Sequence, residues 1–202
     1  MTFGTPDMQH TTQFKAIGAD GCTEKLHIAL IGFMGAGKST IARRISEHYG
    51  LQLVDTDSAI EHDEGMSVAQ IFERKGEAYF RQRETEMLAR ALESSVPSVI
   101  ACGGGVITQP ENRRLLEQHA CVVYLTIQVD QALARFDDYA SRPLLAKAGS
   151  ADAIFALMEA RLGLMETVGD IFVTTDRRTP EEVEAVVAER VKEAGYEFLR
   201  EN

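Results

Sequence analysis

No cysteine spacing, basic block or long apolar run marks this chain of 202 residues, and each absence removes a class of function. The three cysteines, Cys22, Cys102 and Cys121, are odd in number and lack metal-ligand or redox spacing, which argues against a disulfide scaffold and for a reducing cytoplasm. The five histidines, His10, His27, His48, His62 and His119, are scattered, so no zinc site is expected and each is read as a surface or packing residue. No Lys/Arg-rich stretch offsets the net charge of −10, which argues against general affinity for nucleic acid or anionic membranes. Residues 1–25 are polar with Gly and Thr and are expected to be a flexible leader, neither a signal peptide nor a membrane span. Residues 196–202 are expected to be a short tail. A chain this acidic repels anionic ligands at long range, so a phosphate or carboxylate site has to be assembled from individual arginines and lysines.

What is present begins with Gly32 to Ser39, GFMGAGKS, directly after the apolar run Leu26 to Ile31. The spacing G-x-x-x-x-G-K-S between a strand and a helix is a phosphate cradle. Its glycines let successive N–H groups face a nucleotide's phosphates, Lys38 reaches the β/γ-phosphates, and the Ser39 hydroxyl is offered to Mg²⁺. The rest of the chain alternates. Strands are expected at Leu26 to Ile31, Leu51 to Val54, Val96 to Ala101, Cys121 to Ile127 and Ile171 to Thr174, with helices between them. Ser67 with Gln70, and Thr179 with Pro180 and Glu182, read as helix starts, and Pro110 suits a first helical turn. Five strands joined by helical crossovers predict an α/β fold, a three-layer α/β/α with a five-stranded parallel sheet. The phosphate cradle, the aspartates of Asp55-Thr56-Asp57 and the triple glycine Gly103 to Gly105 all fall at C-terminal strand ends, the edge where such sheets bind ligands.

Together these residues resemble the shikimate kinase family of P-loop kinases across about Leu26 to Glu193, through GFMGAGKST, VDTD, GMSVAQIF, GEAYFRQRE, CGGGV, SRPLL and TDRRTP. The resemblance implies a kinase domain over residues 26–195 with a mobile lid at about 137–150, and transfer of the ATP γ-phosphoryl to the 3-hydroxyl of shikimate. It implies that Gly35, Ala36, Gly37, Lys38, Ser39 and Thr40 hold the phosphates, that Arg135, Arg178 and Pro180 meet the adenine, and that Arg142 swings over the phosphates. Ser39 would coordinate Mg²⁺ and Asp55 one of its waters. Asp57 would align the attacking hydroxyl, Arg81 and Arg161 would take the carboxylate, and Gly103, Gly104 and Gly105 would line the acceptor pocket, the last two donating N–H groups. A cytoplasmic monomer is implied.

Alternatives to those roles are concrete. Asp57 could instead cap a helix beside Ser58, Arg81 could pair with Glu84, and Arg83 reads as surface charge. Arg161 is followed by Leu162, Gly163, Leu164 and Met165 where the family commonly has a proline and a tyrosine, so its support is expected to differ. Asp137 and Asp138 add acid to the lid. A gluconate-type or nucleoside-monophosphate kinase would share the cradle without VDTD, FR-x-x-E and CGGG together, and a nucleotide-binding module without turnover would be expected to have lost part of the set. If Asp57 is the aligner, Asp57→Asn keeps ATP binding nearly intact and lowers turnover about a hundredfold, as read by nucleotide titration beside steady-state kinetics. Unchanged turnover would remove the assignment.

Overall fold

The protein is described here from a computed structural model over residues 25–135 and 151–196. Five strands, β1 (His27–Gly32), β2 (Gln52–Asp55), β3 (Ser98–Ala101), β4 (Ala120–Thr126) and β5 (Ile171–Thr174), form one parallel sheet in the order β2-β3-β1-β4-β5. The helices are α1 (Lys38–Tyr49), α2 (Thr56–Glu64), α3 (Val68–Leu92), α4 (Pro110–His119), α5 (Val129–Ala134), α6 (Ala151–Val168) and α7 (Pro180–Glu193), with a 3₁₀ turn at Val106–Thr108. The α/β/α expectation holds; β5 has its expected bounds, and those of the other strands move by no more than two residues.

Alternation along β1 explains the layers. Ile28 and Leu30 point into a cluster with Ile41 and Ile45 of α1 and Val183 and Val187 of α7. Ala29 and Ile31 point the other way, into a cluster with Leu88 of α3, Leu116 of α4 and Met165 of α6. A strand buried on both faces needs apolar residues at every position, which is what the continuous run supplies. A third cluster, Ile60, Ile71, Phe80 and Met87, joins α2 to α3.

Helix ends follow their local chemistry. Ser67 and Gln70 form a complete capping box, as do Thr179 and Glu182, and Pro110 opens α4. Gly50 and Gly65 close α1 and α2 in the left-handed region. α3, opened by the Ser67 cap, is two helical stretches that meet in a kink at Gly76, whose φ of 86° and ψ of 165° no helix contains. Arg83 differs from its surface reading. Its side chain is 20% exposed and pairs with Glu64, Asp63 and Glu86, so it ties α2 to α3.

On the opposite face, Glu184 of α7 accepts from Arg44 Nε at 2.7 Å and His48 Nδ1 at 2.9 Å, both on α1. The carboxylate is buried while both partners are partly solvated. Glu184→Ala therefore strips an acceptor from each, and a loss of about 1 to 2 kcal/mol is expected from urea unfolding. A change within error would mean that apolar packing alone joins the two helices.

Candidate active site

A cleft of about 540 Å³ runs along the C-terminal ends of the strands. Gly35 to Thr40 wall one half. Gly35 and Gly37 have φ of 80° and 88°, which turns the backbone so that α1 begins at Lys38 with its N-terminus toward the cleft. Lys38 Nζ donates to the carbonyls of Gly32 at 2.9 Å and Phe33 at 3.1 Å, so the ammonium lies over the loop it belongs to. Ser39 Oγ donates to Asp55 Oδ2 at 2.6 Å, bringing the ends of β1 and β2 together. Arg135 spans the loop and the end of β5, donating to Gly35 O at 3.0 Å and to Thr175 O at 2.7 Å. Arg178 and Pro180 line the same end, with Arg178 donating to Thr174 O at 3.2 Å.

The other half is built on the glycine triplet after β3. Arg81 is 8% exposed and Arg161 6%, unusual depths for arginine. Arg81 donates to Glu84 Oε2 at 2.7 Å and to Glu77 Oε1 at 3.3 Å. Arg161 donates to Gly104 O at 3.0 Å. Burial and then repulsion from Arg81 lower the Arg161 pKa, against the opposing pull of Glu84 and Glu77. Burial is also the largest influence on Arg81, yet Glu84 and Glu77 together leave its pKa raised. Two buried guanidinium groups that repel one another across a cleft make a site for an anion.

The triplet's glycines serve closeness among the site's own side chains. A Cβ on Gly103 would collide with Glu84 Oε1 and lie 2.6 Å from Asp57 Oδ1, and a Cβ on Gly105 would run into the Arg81 guanidinium. Gly104 would meet only ordinary contacts, with Met34 N at 3.9 Å nearest. Gly103, expected with its neighbours to line the acceptor pocket, is instead buried and absent from the cleft wall, and its N–H donates to Thr56 Oγ1 at 2.9 Å. Gly104 and Gly105 do line the cleft. The capping role weighed as the alternative for Asp57 falls to Asp55, which accepts from Ser58 N at 3.1 Å, and Asp57 lies on the cleft wall.

The comparisons with known proteins bear on the family that the sequence resembles. Residues 34–192 match the model of the family described as shikimate kinase. A shikimate kinase of Dehalococcoides mccartyi is 41% identical over 159 residues, covering 79% of this chain and 89% of its own. One from Marinomonas is 41% identical over 167 residues, 82% of this chain and 92% of its own. The chain belongs to the shikimate kinase family. Among solved structures, a shikimate kinase from Acinetobacter baumannii in complex with shikimate superposes with a TM-score of 0.80 at 34% identity, covering 84% of this chain and 95% of that one. The fold and the kinase class follow from this membership.

Arg142 and the lid expected at 137–150 lie outside the described residues. The departure after Arg161 is accommodated simply: α6 runs on to Val168 through Gly163, where nothing among the described residues lies within 4 Å of an added Cβ, and Met165 packs into the core. Residues that sequence reasoning passed over are Thr56, between the two aspartates, and Thr175, which anchors Arg135. Their signal is a hydroxyl at a strand end. Among the described residues no helix is long and apolar enough to cross a membrane, and no group of three or more His, Cys, Asp or Glu forms a metal cluster.

Glu84 is fully buried, and its Oε1 has no hydrogen-bond partner among the described residues. Burial, opposed by Arg81, pushes its pKa up from 4.5 to about 6. A carboxyl held above its unfolded value binds its proton more tightly when folded, so its contribution to stability falls as pH rises through about 4.5 to 6. The size is about 2 kcal/mol at most. Glu84→Gln removes this titration, so the stability difference between Glu84→Gln and the parent is expected to shift toward the variant across that window in urea melts. A difference that stays flat with pH would show that Glu84 ionises normally.

Proposed function

We propose that this protein transfers the γ-phosphoryl group of ATP to the 3-hydroxyl of shikimate, giving shikimate 3-phosphate and ADP. ATP-dependent phosphorylation of shikimate, on the route to chorismate and the aromatic amino acids, is the activity its family membership carries. The observation that carries the reading onto these residues is one cleft with a phosphate cradle in one half and two buried arginines around Asp57 in the other.

In this reading the amides of Gly35 to Thr40 hold the phosphates, and Lys38 exchanges its carbonyl partners for phosphate oxygens. Arg135, Arg178 and Pro180 bound the adenine. The Ser39 hydroxyl and Asp55 carboxylate, 2.6 Å apart, are hard oxygen donors suited to Mg²⁺, which dehydrates reluctantly and keeps several waters. When bound, that ion supplies charge neutralisation at the phosphates. Ser39 would ligate it, and Asp55 would hold one of its waters.

Arg81 and Arg161 take the carboxylate of shikimate, with Gly104 and Gly105 offering N–H groups to its oxygens. The ring hydroxyl then faces Asp57, which aligns it and accepts its proton as oxygen bonds to phosphorus and the bridge to ADP breaks. Phosphoryl transfer passes through a loose transition state, so alignment and charge matter more than base strength. Arg142 completes the charge over the transferring group from the lid at 137–150, and the kinase domain spans 26–195. The enzyme acts as a cytoplasmic monomer on small molecules, apart from nucleic acid and membranes.

ADP release measured with shikimate, quinate, gluconate and nucleoside monophosphates tests the substrate, and turnover is expected with shikimate. Turnover with gluconate or a nucleotide in its place would defeat the reading. Arg81→Ala is expected to raise KM for shikimate at least tenfold while KM for ATP changes less than about twofold. Equal changes in both would contradict the carboxylate assignment.

A further inference from the structure

The side chain of Thr56 replaces a backbone rung that the sheet would otherwise lose. Strands β2 and β3 pair in register from Gln52↔Ser98 to Asp55↔Ala101, so the next residues to face one another would be Thr56 and Cys102. In a parallel ladder, the N–H of a residue donates to the carbonyl before its partner, and its carbonyl accepts from the amide after it. The carbonyl half of that rung is lost, because the chain turns into α2 at Thr56 and the Gly103 amide donates to its side chain rather than to its carbonyl. Its hydroxyl reaches both groups that the rung would join. Oγ1 donates to Ala101 O at 3.3 Å and accepts from Gly103 N at 2.9 Å. Thr56 is fully buried, so no water competes for either partner.

This substitution of hydroxyl for peptide has a geometric consequence for the site. The chain leaves the sheet one residue before Asp57, which places Asp57 in the first turn of α2 and on the cleft wall. The glycine triplet has no side chains with which to hold itself. The 3₁₀ turn that follows it is clamped by α4, where Asn112 Nδ2 donates to Val106 O at 2.9 Å and Arg113 donates to Ile107 O at 2.7 Å. At its near end, Thr56 ties the Gly103 amide to the turn that carries Asp57. The fit there is tight, since a Cβ on Gly103 would stand 2.6 Å from Asp57 Oδ1.

We infer that Thr56 is a positioning residue of the phosphoryl transfer: its hydroxyl sets the distance between Asp57 and the glycine triplet on which Glu84, Arg81 and Arg161 rest. It touches neither substrate and acts through its neighbours. The inference rests on the functional reading above, because it assigns Thr56 to the alignment of the acceptor hydroxyl.

Thr56→Val keeps the shape and removes both hydrogen bonds, while Thr56→Ser restores the hydroxyl and drops only a methyl. Displacement of a reacting group by part of an ångström is expected to lower kcat about tenfold or more in Thr56→Val, with KM for ATP within about twofold, and Thr56→Ser should recover most of that loss. Amide exchange supplies a readout independent of turnover: the Gly103 N–H should exchange faster in Thr56→Val and regain its protection in Thr56→Ser. Equal kcat in parent and Thr56→Val overturns the positioning role, as does a serine variant that regains Gly103 protection without regaining turnover. An unchanged Gly103 exchange rate in Thr56→Val overturns the hydrogen bond itself. Failure of the parent to phosphorylate shikimate is a different result. It strikes the functional reading first and the role of Thr56 with it.

Discussion

Parallel strands end with carbonyl and amide groups that have lost their neighbours, and the active edge of this sheet is organised by the need to satisfy them without filling the cleft. Side chains do this in several ways. Lys38 covers the carbonyls of Gly32 and Phe33 after β1, and Thr56 bridges Ala101 and Gly103 after β3. Thr175 donates to Thr126 O at the end of β4, and Arg135 covers Thr175 O and Gly35 O. Arg161 covers Gly104 O. Several of these groups are cations. Meeting the backbone's hydrogen-bonding requirement therefore also concentrates positive charge where phosphates and a carboxylate belong.

That concentration resolves the tension set by a net charge of −10. Arg161 is disfavoured by its own burial and by Arg81, and Glu84 and Glu77 offset only part of that, although they more than offset the burial of Arg81. An incoming carboxylate supplies what the folded chain lacks. It accepts hydrogen bonds in a forked geometry from groups already desolvated, so less solvent reorganisation remains to be done on binding. The acidic exterior does little against this at physiological salt, where exposed charge is screened within about 8 Å.

Much of the site was legible in the chain because its parts are local. A phosphate cradle is a run of eight residues, capping boxes span four, and a buried strand shows as an apolar run. The errors arose where the deciding contact is distant. Arg83 reads as surface charge from its own helix, yet its main partners Glu64 and Asp63 come from α2. Either aspartate beside Ser58 could have capped α2, and the choice fell to Asp55 because β2 ends there in an extended conformation, with φ of −101° and ψ of 112°. The glycines of the triplet looked like room left for a ligand. Gly103 and Gly105 instead admit Glu84, Asp57 and Arg81, whose approach depends on how α3 crosses the end of β3.

The sequence by itself determined the alternation of strand and helix, the position and chemistry of the cradle, the helix starts and the family, since each is written in neighbouring residues and their hydrogen-bonding options. Tertiary structure alone decided which charges are buried together, which aspartate faces the cleft, and that a threonine hydroxyl stands in for a peptide group. Those outcomes depend on distances between segments tens of residues apart in the chain, such as Thr56 and Gly103, and only the packed sheet and its covering helices set such distances.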